Sequence, residues 1–162
     1  MKDTCFLFDV DGTLTEACKP INCEFSRYFE RWVLFHPTYL VSGSKFSQIK
    51  GQVGPDVIDG CKGVFSCMGN EHWVGDTLLY QNKLDLKSDV YDLGRGASFE
   101  LRNQYKKWDD TNKERESIAE EFNFKFSEKY NLEALVGGEI SLDIQQKGMD
   151  KGQIIKHLDC DK

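Results

Sequence analysis

Two aspartates, Asp9 and Asp11, follow a short apolar run near the beginning of the chain, at a spacing that could support phosphoryl-transfer chemistry. Residues 5–8 read CFLF, an uninterrupted stretch of strand-forming residues that predicts a strand buried on both faces. A carboxylate at the end of such a strand needs partners or a chemical role, because its removal from water is costly. Gly12 then predicts a tight turn.

Each of the two carboxylates suggests a chemical role. Asp9 could attack a phosphorus centre and form an aspartyl-phosphate. Asp11, two residues further along an extended chain, would point the same way and could move the proton of a substrate hydroxyl. Because two carboxylates repel an anionic phosphate, a divalent cation with oxygen ligands is required, and Mg²⁺ fits best. The alternative interpretation of the DVDGT stretch is a solvated turn at a strand end.

Later residues supply candidate contacts for phosphoryl oxygens. The hydroxyls of Ser42 and Ser44 follow the second predicted strand, and the backbone N–H groups of the Gly12 turn are further candidates. Lys151, at the start of the last predicted helix, could offset the negative charge of both the nucleophile and the phosphoryl group.

Apolar periodicity predicts strands that alternate with helices in the first half of the chain. The predicted strands are 4–10, 38–41 and 64–68, and the predicted helical segments are 24–35, 46–52 and 55–59. We expect Asn22 or Cys23 to cap the first helix and Ser44 to cap the second. This order is typical of a parallel sheet with right-handed crossovers, in which ligands bind beyond the carboxyl ends of the strands.

The middle of the chain has a different pattern, which predicts an inserted α+β subdomain. Residues 76–80 and 97–101 are predicted to be strands of an antiparallel element, and the inserted part begins near residue 81. It continues with a helix 111–130, opened by a capping box, and a strand 139–144. That last strand alternates strictly, so one face is apolar and the other carries Glu139, Ser141 and Asp143. A final helix, 151–158, is expected to begin at the cap Asp150. The predicted domains are a core, 1–80 with 147–162, and a cap, 81–146.

Composition narrows the class of protein. The 162 residues are 40% hydrophobic and 30% charged, which favours a packed globular fold over disorder. The net charge of −6 argues against nucleic-acid partners, and no apolar run is long enough for a membrane span or a signal peptide. We therefore expect a cytoplasmic protein with reduced thiols. The alternative use of the thiols is a zinc site, at unfavourable spacing, built from Cys18, Cys23, Cys61 and Cys67.

Four stretches of the sequence resemble one enzyme family. Residues 8–15, FDVDGTLT, are similar to the signature of the haloacid dehalogenase-like (HAD) phosphotransferases. Within them the chain resembles the eukaryotic-type phosphomannomutases through LVSGSKF at 40–46, SFELRN at 98–103 and GGEISLDIQQKGMDK at 137–151. The resemblance implies an α/β fold, with a HAD-like Rossmannoid parallel-sheet core and a small inserted α+β cap.

The resemblance also implies roles for individual residues. Asp9 would be the nucleophile and a metal ligand, and Asp11 would be the acid/base and would bind Mg²⁺ through its backbone. The implied phosphate-binding residues are Ser42, Gly43, Ser44 and Lys151. The implied substrate-binding residues of the cap are Arg102, Ser141 and Asp143.

The expected activity is Mg²⁺-dependent phosphoryl transfer on a small sugar phosphate, as in a phosphomannomutase. A HAD-type phosphatase, or a non-catalytic or truncated HAD-like module, is the alternative. Cys18 stands where the family has an arginine, and Asn103 is not followed by the family's further phosphate-binding arginines. A sugar bisphosphate needs two phosphate clamps, so these departures weigh against mutase activity.

The end of the sequence carries a further expectation. Lys162 comes just before the position where HAD enzymes have an acidic motif with the remaining metal ligands. In those enzymes the strand that bears the motif lies beside the first strand. We therefore expect the first strand to form a sheet edge that a second chain, as in a homodimer, or another segment covers, and we expect weak metal binding.

Overall fold

The computed structural model describes residues 4–82, 111–137 and 141–159. The chain divides into two compact units, Met1–Lys83 with Asp150–Lys162, and Leu84–Met149. The division into a catalytic core and a substrate cap stays a prediction. Within the described ranges, no helix is both long and apolar enough to cross a membrane.

In its described residues, the first unit has a five-stranded sheet with helices between the first three strands. Its elements are β1 (Phe6–Asp9), α1 (Cys23–Phe35), β2 (Thr38–Val41), α2 (Phe46–Val53), α3 (Pro55–Gly60), β3 (Gly63–Ser66), β4 (Glu71–Val74), β5 (Thr77–Gln81) and a 3-10 helix (Lys151–His157). The strands lie in the order β1-β2-β3-β4-β5. β1, β2 and β3 are parallel, as the alternating pattern predicts, so the α/β fold class is confirmed.

A hairpin that the sequence did not predict completes this sheet. β4 pairs with β3 and β5 in antiparallel fashion. The strand predicted over 76–80 is expected to form an antiparallel element with 97–101, which lies outside the described residues. Its actual partner is β4, which was missed because EHWV is a short run with two polar residues. The third strand also ends at Ser66, since Cys67 and Met68 belong to a turn.

The core of this unit lies under the central strands. All residues of β2 and β3 are buried. Phe29 and Val33 of α1 and Ile49 and Val53 of α2 pack in the same cluster as Leu40. Asn22 caps α1, as expected, because its side-chain oxygen accepts the backbone N–H groups of Glu24 and Phe25. Burial of these apolar side chains is the main stabilising contribution, at about 1.5–3 kcal/mol for each large side chain.

The expectation that β1 is buried on both faces is wrong. Phe6 and Phe8 pack edge-on against Trp32 and Phe29 of α1, with ring centroids 5.2 and 5.3 Å apart. Leu7 points to the other face and is 42% exposed. In the described part of the sheet, β1 is the end strand and pairs with β2. The covering of this edge by another chain or segment stays a prediction.

In the described residues of the second unit, a helix that contains a π turn packs against two paired strands. Its elements are α4 (Thr111–Phe122), a π-helical turn (Asn123–Ser127), α5 (Glu128–Tyr130), β6 (Leu132–Gly137) and β7 (Ser141–Gln146). The helix predicted over 111–130 is confirmed with an internal π turn, and β6 was not predicted. The Asn123 side chain donates to the carbonyl oxygen of Ala134 and accepts from its N–H, which fixes β6 beside the π turn.

The strand predicted over 139–144 is observed as β7, which begins at Ser141 and reaches Gln146. Its apolar parity is confirmed, since Leu142 and Ile144 pack against the buried cluster of this unit. Asp143 stands opposite Leu135 in the antiparallel register with β6. Residues 138–140 lie outside the described ranges.

Candidate active site

The candidate site begins where two parallel strands end side by side. Asp9 is the last residue of β1 and lies opposite Val41, the last residue of β2. Ser42 follows directly, and its N–H donates to the carbonyl oxygen of Phe65 at 2.9 Å, which extends the pairing toward β3. The sheet therefore brings a carboxylate and the Ser42–Ser44 loop to the same edge, because carboxyl ends of parallel strands meet there.

Asp9 forms an ion pair with Lys151. The Lys151 Nζ lies 2.9 Å from Asp9 Oδ2, and the two side chains are 37% and 39% exposed. The other carboxylate oxygen, Oδ1, accepts the N–H of Val10 at 2.9 Å. Lys151 opens a 3-10 helix, not the predicted α-helix, and Asp150 caps it by accepting the N–H of Gly152 at 2.7 Å. The ion pair is thus accessible to solvent. Its carboxylate is held by the Val10 N–H, and its lysine begins a capped helix.

Asp11 has a different set of partners. Its Oδ1 accepts the N–H of Cys18 at 2.9 Å and the Nε2–H of Gln52 at 2.8 Å, and its Oδ2 accepts the Ser44 hydroxyl at 3.3 Å. Burial raises the pKa of Asp11, but the hydrogen bonds from Cys18, Gln52, Ser44 and Ser42 outweigh burial and hold it below its usual value. Among the described residues, the carboxylates of Asp9 and Asp11 share no hydrogen-bond partner.

The turn after Asp11 is closed by its own backbone. Gly12 has a φ of 77°, which only glycine adopts readily, so the predicted tight turn is confirmed. Its N–H donates to the carbonyl oxygen of Thr15 at 2.8 Å, and the N–H groups of Thr13, Leu14 and Thr15 donate to the carbonyl oxygen of Val10. These four N–H groups are therefore paired within the turn, and the binding of phosphoryl oxygens by N–H groups here stays a prediction.

The Ser42–Ser44 loop is held by hydrogen bonds of its own. The N–H of Ser44 donates to the Ser42 hydroxyl oxygen at 3.0 Å. Ser44 was expected to cap α2, but the capping residue is Lys45, which makes no side-chain capping bond. The reason is that the Ser44 hydroxyl donates to Asp11 instead. Ser42 is buried, whereas Ser44 is partly exposed.

A left-handed turn at residues 67–69 donates hydrogen bonds to the Ser42–Ser44 loop, and sequence reasoning missed this turn. Cys67, Met68 and Gly69 have φ values of 51°, 61° and 89°. The N–H of Cys67 donates to the carbonyl oxygen of Ser44, and that of Met68 donates to the carbonyl oxygen of Ser42, both at 3.0 Å. Non-glycine residues in this region cost on the order of 1–3 kcal/mol each, so the surrounding contacts must hold them there.

The same turn reaches the helix that carries Lys151. Gln153 Nε2 donates to the carbonyl oxygen of Met68 at 2.8 Å. A side chain on Gly69 would come within 2.6 Å of Ile154, so the close approach requires glycine. The turn thus connects the Ser42–Ser44 loop to the Lys151 helix. The only local signal in the sequence is the CMGN stretch, which is typical of a turn but does not predict its contacts.

Gln52 is a second residue that sequence reasoning missed. It is 5% exposed, at the end of α2, and its Nε2–H donates to Asp11 and to the Thr15 hydroxyl oxygen, the latter at 3.2 Å. The available signal was a polar residue three positions after Ile49, on the apolar face of a short helix that follows the Ser42–Ser44 loop.

Comparison with known proteins identifies the family. A family model described as eukaryotic phosphomannomutase matches residues 75–162, which is more than half of the chain. The chain belongs to this family. Curated phosphomannomutases from Spinacia oleracea and Saccharomyces cerevisiae are each 28% identical to it. The match covers 94% of this chain for the first relative and 98% for the second, and 76% of the length of each relative.

Solved structures show the HAD-like fold of this phosphomannomutase family member. A haloacid dehalogenase-like hydrolase from Bacteroides thetaiotaomicron superposes with a TM-score of 0.69 at 14% identity, over 96% of this chain and 76% of that one. The C-terminal domain of C. albicans trehalose-6-phosphate phosphatase superposes with a TM-score of 0.72 at 17% identity. The match covers 97% of this chain and 62% of that one. The resemblance stated from the sequence is confirmed, and the chain is a HAD-type phosphotransferase.

The substrate-binding residues that the resemblance implies belong to the second unit of this phosphomannomutase family member. Arg102 lies outside the described residues. Ser141 is the first residue of β7, and Asp143, which is partly buried, lies in the same strand. Their roles stay predictions.

The donor atoms present fit Mg²⁺ better than zinc. Cys18, Cys23, Cys61 and Cys67 are free thiols, and burial raises the pKa of Cys61 to about 12. Cys5 is disulfide-bonded, so the expectation of reduced thiols is wrong for that residue. In the described ranges, no three His, Cys, Asp or Glu side chains are grouped to hold a metal ion, so the zinc alternative is wrong. Mg²⁺ keeps several of its waters and binds one or two carboxylates together with substrate oxygens. The partly exposed Asp9 can provide one such carboxylate.

Proposed function

We propose that this phosphomannomutase family member catalyses Mg²⁺-dependent phosphoryl transfer on a small sugar phosphate through an aspartyl-phosphate on Asp9. The observation that carries the proposal is the Asp9–Lys151 ion pair at the carboxyl end of β1, beside the Ser42–Ser44 loop. A carboxylate with an accessible oxygen and an adjacent cation can meet an anionic phosphorus centre without prohibitive repulsion.

The proposed step can be written atom by atom. An oxygen of Asp9 forms a bond to phosphorus while the bond between phosphorus and the substrate oxygen breaks. Asp11 gives a proton to the departing oxygen and then takes a proton from the incoming hydroxyl, which belongs to a sugar or to water. Asp9 is released when the incoming oxygen bonds to phosphorus. The partners of Asp11 differ from those of Asp9, which supports separate roles.

Charged and polar neighbours would stabilise the phosphoryl group. Lys151 is proposed to neutralise one of its oxygens, as a lysine does in other phosphoryl-transfer sites. The Ser44 hydroxyl, whose 3.3 Å bond to Asp11 is long, is proposed to turn toward a phosphoryl oxygen. Ser42 and Gly43 complete the proposed phosphate loop, and Met68 packs against Gly43 so closely that a side chain there would touch its sulfur.

The proposed metal ligands are the Asp9 carboxylate and the main-chain carbonyl oxygen of Asp11. Bound Mg²⁺ would supply charge neutralisation for the phosphate and orient it toward the nucleophile. Arg102, Ser141 and Asp143 of the second unit are proposed to bind the sugar phosphate, with the unit acting as a substrate cap.

Phosphatase activity is a second candidate, and a specific observation favours it. The side chains of Asp9 and Lys151 are more than one third exposed, so water can reach the phosphorylated aspartate. A mutase must exclude that water, whereas a phosphatase uses it.

One assay separates these activities from a non-catalytic module. The full chain is given a panel of sugar monophosphates with Mg²⁺, with and without a sugar bisphosphate, and free phosphate and isomerised product are measured. Isomerised product that depends on the bisphosphate supports the mutase, and free phosphate alone supports the phosphatase. No turnover and no phosphoryl label on Asp9 would overturn the proposal.

A further inference from the structure

Gln52 holds both ends of the segment that carries Asp11. Its Nε2–H groups donate to Asp11 Oδ1 at 2.8 Å and to the Thr15 hydroxyl oxygen at 3.2 Å. Its main-chain carbonyl oxygen accepts the N–H of Ile21 at 2.8 Å. The segment from Asp11 to Ile21 is therefore fastened to α2 mainly by Gln52, with one further contact from Gln48 Nε2 to the Cys18 sulfur at 3.6 Å.

The two oxygens of the Asp11 carboxylate have unequal surroundings. Oδ1 accepts two short hydrogen bonds, from Cys18 N–H and from the buried Gln52 amide. Oδ2 accepts the Ser44 hydroxyl at 3.3 Å, beyond the usual 2.5–3.0 Å for such bonds. Oδ1 is thus firmly anchored, whereas Oδ2 has a partner that is easily exchanged and lies on the side of the proposed phosphate loop.

Packing alone does not explain an amide at this position. Phe46, Ile49 and Val53 of the same helix fill the core with apolar side chains. A buried amide is costly unless its polar atoms are hydrogen-bonded, and Gln52 Oε1 has no hydrogen-bond partner among the described residues. An apolar side chain would avoid that cost, so the amide is accounted for by what its NH₂ group binds.

We propose that Gln52 is a positioning residue, which anchors Oδ1 of Asp11 so that Oδ2 exchanges the proton with the substrate oxygen. The proton-transfer part rests on the proposed function, whereas the anchoring does not. As the bond between phosphorus and the leaving oxygen breaks, the Oδ2–H bond breaks and an O–H bond forms on the leaving oxygen. Oδ1 keeps its donors throughout, and a fixed carboxylate matters because proton transfer tolerates little misplacement.

The kinetic test compares Gln52→Leu with Ser47→Ala, which changes an exposed serine of the same helix. With a sugar monophosphate, kcat of Gln52→Leu should fall on the order of 10- to 100-fold with little change in KM. With p-nitrophenyl phosphate, whose leaving group needs no proton, the first-turnover release of p-nitrophenol, which precedes proton removal from water, should slow less than about threefold. Ser47→Ala should behave as the wild type. Equal losses on both substrates would overturn the proposal.

Two further variants guard against a purely structural effect. Gln52→Glu keeps the size of the side chain but replaces the donor with a second carboxylate, so it should show the same selective loss. Asp11→Asn combined with Gln52→Leu should be no slower than Asp11→Asn alone, because residues that act as a unit are not additive. Additive losses would mean that Gln52 acts elsewhere.

A spectroscopic test works even without turnover. The side-chain amide protons of Gln52 in the full chain are assigned by their absence in Gln52→Leu. Asp11→Asn should shift these signals, and Asp9→Asn should leave them in place. Unshifted signals in Asp11→Asn would overturn the anchoring. If the wild type transfers no phosphoryl group, the proposed function and the proton-transfer part fail, while these signals still decide the anchoring.

Discussion

Asp9 and Asp11 are two residues apart, yet the structure surrounds them in contrasting ways. Asp9 ends a strand, pairs with a lysine and is 39% exposed. Asp11 lies in a closed turn and is tied to α2 through Gln52 and to the loop after β2 through Ser44. A nucleophile must reach its substrate, whereas a proton-transfer group must be held with one oxygen forward. The contrast teaches that one strand end can provide both conditions, because the chain reverses at Gly12.

Asp9→Asn should have the largest effect. Turnover of any phosphate substrate should fall by roughly 10³-fold or more, because an amide cannot accept a phosphoryl group. The measurement is kcat/KM on sugar and aryl phosphates, with circular dichroism to show that the fold is intact. Asp59→Asn, an exposed aspartate of α3, is the matched control. Retained turnover in Asp9→Asn would remove Asp9 from the nucleophile role.

Asp11→Asn should have a large effect that depends on the leaving group. Transfer from a sugar phosphate should slow by about 10²- to 10⁴-fold, because the departing oxygen then lacks a proton donor. Transfer from p-nitrophenyl phosphate should slow much less. The comparison requires the rate of the first turnover on both substrates at one pH, because the later proton removal from the incoming hydroxyl is common to both. Similar losses on the two would show that Asp11 and Asp9 do not differ as the structure suggests.

Lys151→Met should have a smaller effect, of about 10²-fold in kcat/KM, since it removes one cation from the phosphoryl group. Lys151→Arg keeps the charge but not the shape, so it should recover only part of the loss. Lys156→Met, which changes an exposed lysine of the same 3-10 helix, is the control. The ion pair would be irrelevant to turnover if Lys151→Met and Lys156→Met had equal kcat/KM.

The smallest expected effect concerns stability at acid pH. Folding lowers the pKa of Asp11, so its contribution is complete above the unfolded pKa, near 4, and is lost as the pH falls through the folded pKa. The urea midpoint of the wild type should therefore drop more between pH 6 and pH 3 than that of Asp11→Asn. Glu71, whose pKa is also lowered, titrates in both proteins and does not affect the difference. Equal drops would mean that Asp11 is not anchored in solution.

Several local elements follow from the amino-acid sequence alone, although β4 and β6 do not. Thr38–Val41 was predicted at the residues observed, and α1 begins one residue earlier than predicted. Asp150 was expected to cap the last helix and does so. These features follow from apolar periodicity and from short-range capping hydrogen bonds, which a sequence displays directly. The position of Asp9 and Ser42 at carboxyl strand ends follows from the same alternation.

Only the tertiary structure decided which side chains meet at that edge. Gln52 and Asp11 are 41 residues apart in sequence, and Ser44 and Asp11 are 33 apart. Periodicity predicts the face of a helix but not the group that the face will contact. The left-handed turn at Met68 is held by Ser42, Ser44 and Gln153, so its conformation depends on neighbours that are distant in the chain. The unequal anchoring of Asp11 therefore exists only once the sheet, α2 and this turn are packed together.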